Sequence, residues 1–379
     1  MQAHPDILIY LFLFVISFFM VILVTPMTIT LAHKIGALDY PEARKIHTTP
    51  IPRLGGLAIA FSIVVTIALG YLRNPYIQRG IPAVLGAIPG ALLILIIGVY
   101  DDARNVSAFR KLLVQTAAAG MAVAFGIRFE LASNPLAGGM LNYFHLGWLA
   151  IPLTMAWIIG LTNAFNLIDG LDGLATGIAL FASIALFLIS LQQGAGLVTY
   201  FYTTIAGATL AFLKFARYPA TVFLGDCGAT FLGFLLACLS VTGLQKSYTL
   251  AALFIPLIVF GVPIFDATVT LVRRYVKHDG IFGADREHIH HRLLAWGLNQ
   301  RQVVIILYVI TILLGIIAFA FTVLLDEYAA VIVGIIGLLG GFIAKELNVF
   351  GTSRPRMERA FRFRQHDEDS DQHARTGER

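Results

Sequence analysis

The sequence predicts an all-α, polytopic membrane protein, and three observations point to that class. Of its 379 residues, 58% are hydrophobic and 13% charged, with a mean hydropathy of +0.80, a balance that excludes a soluble globule. The apolar residues fall in runs of about 20 with few charges, the length that crosses a bilayer as a helix. Lysine and arginine are also distributed unevenly between the two sets of connections those runs define.

In order, the runs span about 7–32, 55–72, 82–100, 112–127, 147–167 and 174–191. They continue at about 197–213, 229–244, 249–271, 303–325 and 328–347, which makes about eleven transmembrane helices. With that many spans, 23 of the 27 Lys and Arg fall on one side, leaving Arg73, Arg79, Arg128 and Lys246 on the other. The positive-inside rule then puts the N-terminus outside and the C-terminus in the cytoplasm. One transmembrane domain is expected over 1–350, followed by a cytoplasmic tail over 351–379 that begins basic and ends polar and acidic.

The first run lacks a basic n-region and is too long for a signal peptide, so it is read as retained. Cys227 and Cys238 lie in different settings and suggest no disulfide framework. The net charge of +5 describes a one-sided field that suits anionic lipid heads and phosphorylated substrates. Nucleic acid is not an expected partner, because no basic face is interleaved with exposed aromatics.

The third run ends in Asp101-Asp102. Adjacent carboxylates repel, and taking even one into hydrocarbon costs on the order of 3 kcal/mol, so a cation is expected to share their site. Asp169, Asp172 and Asp226 also sit at the ends of apolar runs or in short loops, all on the predicted cytoplasmic side. If all face one point, the expectation is a metal site.

Between Asn163 and Ala175, Asn163 and Asn166 are three apart, as are Asp169 and Asp172. On a helix that spacing stacks polar groups on one face, while Gly170 and Gly173 allow a turn whose backbone approaches a ligand. A capped helix end rarely needs four such groups. Asp226 lies between Gly225 and Cys227-Gly228, where the glycines are expected to leave room for a phosphate or metal.

Two further loops carry cations. Residues 272–302 include Arg273, Arg274, Lys277 and then His288, His290, His291 and Arg292. That His-x-His-His lacks the Cys partners or the His-x-x-x-His pair of zinc sites, so phosphate or diphosphate is the expected partner for so many donors. The first cytoplasmic loop adds Arg44, His47 and Arg53, stiffened by Pro50 and Pro52 before Gly55-Gly56. Asp266 lies inside the ninth run after Pro263, where a functional acid and a hydrogen-bonded structural one are both open.

These residues imply a cleft with carboxylates for a hard cation, cationic loops for phosphates and direct access to lipid. Mg²⁺ fits best, because it prefers oxygen and is commonly held by one or two carboxylates plus substrate phosphates, and Mn²⁺ would serve similarly. The implied reaction is phosphoryl chemistry between a soluble phosphorylated donor and a membrane-embedded acceptor.

At Asp101-Asp102, Asn163 to Ala175, Gly225-Asp226-x-Gly228 and His288 to Arg292, in that order, the chain resembles the polyprenyl-phosphate N-acetylhexosamine-1-phosphate transferase family. The His-Ile-His-His form is similar to the branch whose members are called WecA and TagO. The MraY branch typically shows three consecutive histidines. The resemblance implies transfer of N-acetylglucosamine 1-phosphate from UDP-GlcNAc to undecaprenyl phosphate, releasing UMP, for cell-envelope glycopolymer synthesis.

By resemblance, Asp226 matches a Mg²⁺ ligand, and Asp101 and Asp102 match a pair assigned to metal support or to deprotonating the lipid phosphate. Asn163, Asn166, Asp169 and Asp172 belong to the segment that lines the nucleotide side, with Asp169 counted among the catalytic residues. His288, His290, His291 and Arg292 match the donor loop, and Arg44 and His47 lie in a first loop like the family's. Cys227 departs from the Thr, Ser or Val more often found there. A second copy of the chain is among the expected partners, beside membrane lipid. Two alternatives stand: the same chemistry with UDP-MurNAc-pentapeptide or another UDP-N-acetylhexosamine, and a cation-coupled transporter whose intramembrane acids carry protons or ions.

Overall fold

A chain this apolar must satisfy its backbone hydrogen bonds internally, and in the computed structural model it does so almost wholly as helices. The structure describes residues 7–41, 49–80, 84, 86–129, 131–133, 143–244, 250–277 and 288–323. Arg44, His47, the run at 328–347 and the tail over 351–379 lie outside the described residues.

The chain enters through α1 (Ile7–Ile35), forms a short antiparallel pair of β1 (Leu38–Asp39) and β2 (Ile51–Pro52), and continues into α2 (Gly55–Arg73) and α3 (Pro75–Gly80). Helices α4 (Ala87–Arg104) and α5 (Ala108–Ala124) follow. A small hairpin, β3 (Leu131–Ser133) with β4 (Tyr143–His145), leads to α6 (Ala150–Ile168). Then come α7 (Leu174–Gln192), α8 (Leu197–Ala216), α9 (Gly225–Leu244), α10 (Leu250–Val259), α11 (Gly261–Lys277), α12 (Ile289–Ala295) and α13 (Gln300–Val323).

Among the described residues, six helices are long and apolar enough to cross a membrane. The protein is therefore an all-helical, polytopic membrane protein. The expected ninth span at 249–271 is instead two helices, α10 and α11, meeting at Phe260. Pro263 has no N–H to donate to the Val259 carbonyl, so one rung of the ladder is missing there, while the Phe260 N–H donates to the Pro256 carbonyl at 2.9 Å and the Ile264 N–H to the Phe260 carbonyl at 3.0 Å.

Burial sorts the helices into an axis and a rim. The apolar window of α9 is 89% buried, whereas that of α1 is 22% buried, so α9 is the axis and α1 turns most of its surface outward. Helices α2, α4 and α6 pack around α9. Close approach needs small residues where backbones meet: a Cβ on Gly56 of α2 would stand 2.1 Å from the Gly228 Cα of α9. On the far side Ser17 Oγ donates to the Thr204 carbonyl at 2.8 Å and Ser62 Oγ to the Ser17 carbonyl at 2.8 Å, tying α1, α2 and α8 together. This framework brings the C-terminal ends of α4, α6 and α8 together with the N-terminal ends of α2, α5, α7 and α9.

Candidate active site

The acid pair closes α4, and its two members face different ways. Both are buried. Asp101 accepts the Val106 N–H through Oδ1, which folds the chain sharply back into α5 and returns Lys111 to the pair. Lys111 Nζ donates to Asp101 Oδ2 at 2.7 Å and to Asp226 Oδ2 at 2.7 Å. Lys111, ten positions past Asp101 and one helical turn into α5, carries no signal of this role in the sequence.

Asp102 points into α9. Its Oδ1 accepts the Asp226 N–H at 2.9 Å and its Oδ2 the Cys227 N–H at 3.0 Å. A carboxylate on the first free amides of a helix is stabilised by them and by the helix dipole. Gly225 lines the same cavity as Asp226, and the glycines on both sides of Asp226 also serve this packing. A Cβ on Gly225, whose φ is +75°, would meet the Arg53 carbonyl oxygen at 1.8 Å, and one on Gly228 would meet the Gly56 Cα at 2.6 Å. The room a side chain would take at either glycine is filled by the protein's own backbone.

Arg53 reaches the same acids from the segment between β2 and α2. Its guanidinium lies 3.5 Å from Asp102 Oδ1, 3.5 Å from Asp226 Oδ1 and 3.8 Å from Asp39 Oδ1. The Phe223 N–H donates to the Pro52 carbonyl at 2.8 Å and the Gly55 N–H to the Phe223 carbonyl at 3.0 Å, so the loop before α9 holds the segment that carries Arg53.

The Asn163 to Ala175 segment resolves both of its readings. Asn163 and Asn166 lie on α6, while Asp169 and Asp172 lie in the turn that follows, closed by Gly173 at φ +76°. Asn163 Nδ2 donates to Gln115 Oε1 of α5 at 2.7 Å and to the Ile159 carbonyl at 2.8 Å, so its amide links helices. Asn166, Asp169 and Asp172 line a cavity of about 650 Å³, which Arg53, Asp226 and His291 also line. Asp172 Oδ2 accepts the Ala220 N–H at 2.9 Å, fastening that turn to the loop before α9.

The histidines do not act as one exposed cationic surface. His288 and His290 are buried, and only His291 of the three lines the cavity. His290 presses against the turn: a Cβ on Gly170 would meet its Nε2 at 2.3 Å. Burial, with the neighbouring His291, lowers the His290 pKa to about 3, so its ring is neutral at ordinary pH. Arg292 follows on α12. Beside it in sequence, Asp285, Arg286 and Glu287 lie outside the described residues.

Electrostatically the cavity asks for a cation. Asp39, Asp169, Asp172 and Asp226 line it against Arg53 and His291. Burial, then the charge of Asp226, pushes Asp169 up to about 8, as expected for a carboxyl among acids with too little positive charge nearby. No group of three ligand side chains is gathered at one point among the described residues. The donor set nonetheless fits a hard cation that takes one or two carboxylates and completes its shell with phosphate oxygens.

An acid-rich cavity with fixed cations, set where apolar helices end, is suited to a membrane enzyme acting on phosphate esters. The family described as Glycosyl transferase family 4 matches residues 84–244. The chain is 40% identical over 297 residues, 78% of this chain and 80% of the relative, to a "Probable undecaprenyl-phosphate N-acetylglucosaminyl 1-phosphate transferase" of Bacillus subtilis. It is 34% identical over 314 residues, 76% of each chain, to a "Decaprenyl-phosphate N-acetylglucosaminephosphotransferase" of Mycobacterium tuberculosis. A "Phospho-N-acetylmuramoyl-pentapeptide-transferase" of Caldicellulosiruptor bescii is 30% identical over 320 residues, 81% of this chain and 95% of the relative.

The chain belongs to the polyprenyl-phosphate N-acetylhexosamine-1-phosphate transferase family. It is an enzyme, a sugar-1-phosphate transferase, and the transporter alternative is set aside.

Proposed function

We propose that the protein transfers N-acetylglucosamine 1-phosphate from UDP-GlcNAc to undecaprenyl phosphate at the cytoplasmic face of the cell membrane, within a bundle of about eleven spans whose N-terminus is outside. The observation that carries the reading is the cavity of about 650 Å³ in which Asp169, Asp172 and Asp226 face Arg53 and His291 where the helices end. The His-Ile-His-His form and the 40% identical relative from Bacillus subtilis support N-acetylglucosamine over N-acetylmuramoyl-pentapeptide.

In this reaction an oxygen of the lipid phosphate bonds to the sugar-bearing phosphorus of the donor, and the bond from that phosphorus to the bridging oxygen breaks, so that UMP leaves with the bridging oxygen. A phosphate monoester has a second pKa near 6, so the lipid nucleophile is already largely anionic at pH 7. The main barrier is then repulsion between two anions, and fixed positive charge matters more than a base.

Asp226 and Asp169 would hold Mg²⁺, with Asp102 supporting Asp226 through its backbone. The ion supplies charge neutralisation and alignment of phosphate oxygens. Arg53 and Lys111 hold the acids at fixed positions and keep them from repelling an incoming phosphate. Asn166 and Asp172 contribute to the nucleotide side, and His291 and Arg292 to the donor diphosphate. Asn163 supports that side from behind through Gln115.

The test is direct. Purified protein is incubated with undecaprenyl phosphate, Mg²⁺ and, separately, UDP-GlcNAc, other UDP-N-acetylhexosamines and UDP-MurNAc-pentapeptide. UMP release with UDP-GlcNAc that requires the lipid phosphate is expected. Release with another donor alone, or without the acceptor, would overturn the assignment.

A further inference from the structure

Asp266 has no part in the transfer as described, yet it is 1% exposed and both of its oxygens are engaged. Oδ1 accepts the Ile289 N–H at 2.8 Å, and Oδ2 lies 2.9 Å from His288 Nδ1. Thr270 Oγ1, one turn further along α11, is 3.4 Å from the same ring nitrogen. A carboxylate can only accept, so the hydrogen of this contact belongs to Nδ1. The Ile289 amide is the first of α12, so one side chain both caps that helix and orients the histidine preceding it.

His288 passes this constraint on. Its ring lies parallel to that of His290, with 3° between the planes and 5.6 Å between centroids, and His290 is 4.3 Å from His291. His290 packs against Gly170 of the Asp169–Asp172 turn, and His291 lines the cavity. An Asn or Thr would suffice to cap one amide. Accepting two hydrogens from two donors at once, in a buried place where an acid is unfavourable, calls for a carboxylate.

We propose that Asp266 is a positioning residue for the donor site: it holds His288 by its Nδ1–H, docks the first turn of α12 and thereby sets His291 at the cavity wall. The inference rests on the reading of the histidine loop as the place where the donor diphosphate binds. Asp266 touches neither substrate, and its effect reaches them through His288.

The experiment uses the full-length protein in lipid nanodiscs with ring-¹⁵N histidine. The wild-type His288 signal, assigned by its loss in His288→Gln, should show a protonated Nδ1. Asp266→Asn can still accept from Ile289 through its amide oxygen but turns an NH₂ toward His288, so Nδ1 should become an unprotonated acceptor. The KM for UDP-GlcNAc should then rise about tenfold or more while kcat changes less than about threefold, by analogy with the roughly tenfold or larger losses on removing a group that orients a metal-binding histidine.

An unprotonated Nδ1 in the wild type overturns the proposal, and that measurement needs no Asp266 variant to fold. So does an unchanged KM in Asp266→Asn when His291→Ala raises it. If His291→Ala itself leaves the KM unchanged, the donor-loop reading fails instead, and the ring signals still decide whether Asp266 holds His288.

Discussion

Asp102 is the cap of the helix that presents Asp226: its Oδ1 accepts the Asp226 backbone N–H at 2.9 Å, and its Oδ2 takes the next amide at 3.0 Å. A residue that reads as a metal ligand in sequence thus acts first by fixing another acid. Asp102→Asn would turn an NH₂ toward either an amide N–H or Arg53, setting donor against donor. The expected loss is about 1–3 kcal/mol of stability, seen as a lower Tm, with turnover reduced at least about a hundredfold. Asp101→Asn should also cut turnover by orders of magnitude. A rate in either variant that recovers as pH rises above the lipid phosphate's second pKa would instead identify that aspartate as a base.

Lys111 separates charge balance from catalysis. It lies 2.7 Å from both Asp101 and Asp226, so removing it raises the negative potential at Asp226 while taking away a fixed cation from the phosphates. Lys111→Met should bind Mn²⁺ at least about tenfold more tightly, since one charge a few ångströms away at an effective dielectric near 20 is worth on the order of 1–4 kcal/mol, yet turn over at least about a hundredfold more slowly. Titration followed by the Mn²⁺ electron paramagnetic resonance signal, beside UMP release, checks both signs. Weaker Mn²⁺ binding would mean that Lys111 orders the acids more than it competes with the cation.

Much of this architecture was legible in the order of apolar runs and in where the acids fall. The helices stand where hydrophobic length demands, and Asp226 reaches the expected cavity because a helix end is a local feature. What was not legible depends on contacts distant in sequence. Nothing near Asn163 announces Gln115, 48 positions away, and nothing near Asp102 announces the α9 amides, 124 positions away. Lys111 looked like one basic residue among many because its value lies in the tight reversal after α4. Of the glycines beside Asp226, Gly225 borders the cavity and Gly228 packs against Gly56; a sequence indicates that such a site is small but not which neighbour uses the room. The break at Phe260 was masked by an apolar run long enough for one span, with Pro263 its one signal.

The metal reading rests on Asp226, and here the prediction is loss of function with folding retained. Asp226→Asn keeps the backbone amide that Asp102 caps but weakens the pairs with Lys111 and Arg53, so the protein should still express and fold with a modestly lower Tm while UMP release becomes undetectable. EDTA should abolish activity in the parent, and Mg²⁺ or Mn²⁺ should restore it. Normal turnover in the variant, or full activity in EDTA, would sink the assignment.

Asp169 gives the metal a pH signature. Burial and the charge of Asp226 raise its pKa to about 8, whereas the unfolded chain releases this proton near the ordinary carboxyl value of 3.8. Between those values the folded, metal-free protein binds a proton that the unfolded chain does not, so its stability should fall as pH rises through that window and level off above about 8. A cation held by the ionised carboxyl must expel the proton. Below about pH 8 its affinity should therefore climb toward tenfold per pH unit, and its stabilising effect should grow alongside. Thermal unfolding from pH 5 to 9, with and without Mg²⁺, reads both effects; in Asp169→Asn the metal-free slope should become shallower, the remaining decline belonging to Asp101 and Asp102, which burial raises to about 6 and about 7, and the Mg²⁺ stabilisation should lose most of its pH dependence above about pH 7. A Tm in the parent that does not decline across this range without metal, or a Mg²⁺ effect equal at pH 5.5 and 8.5, would remove Asp169 from the cation site.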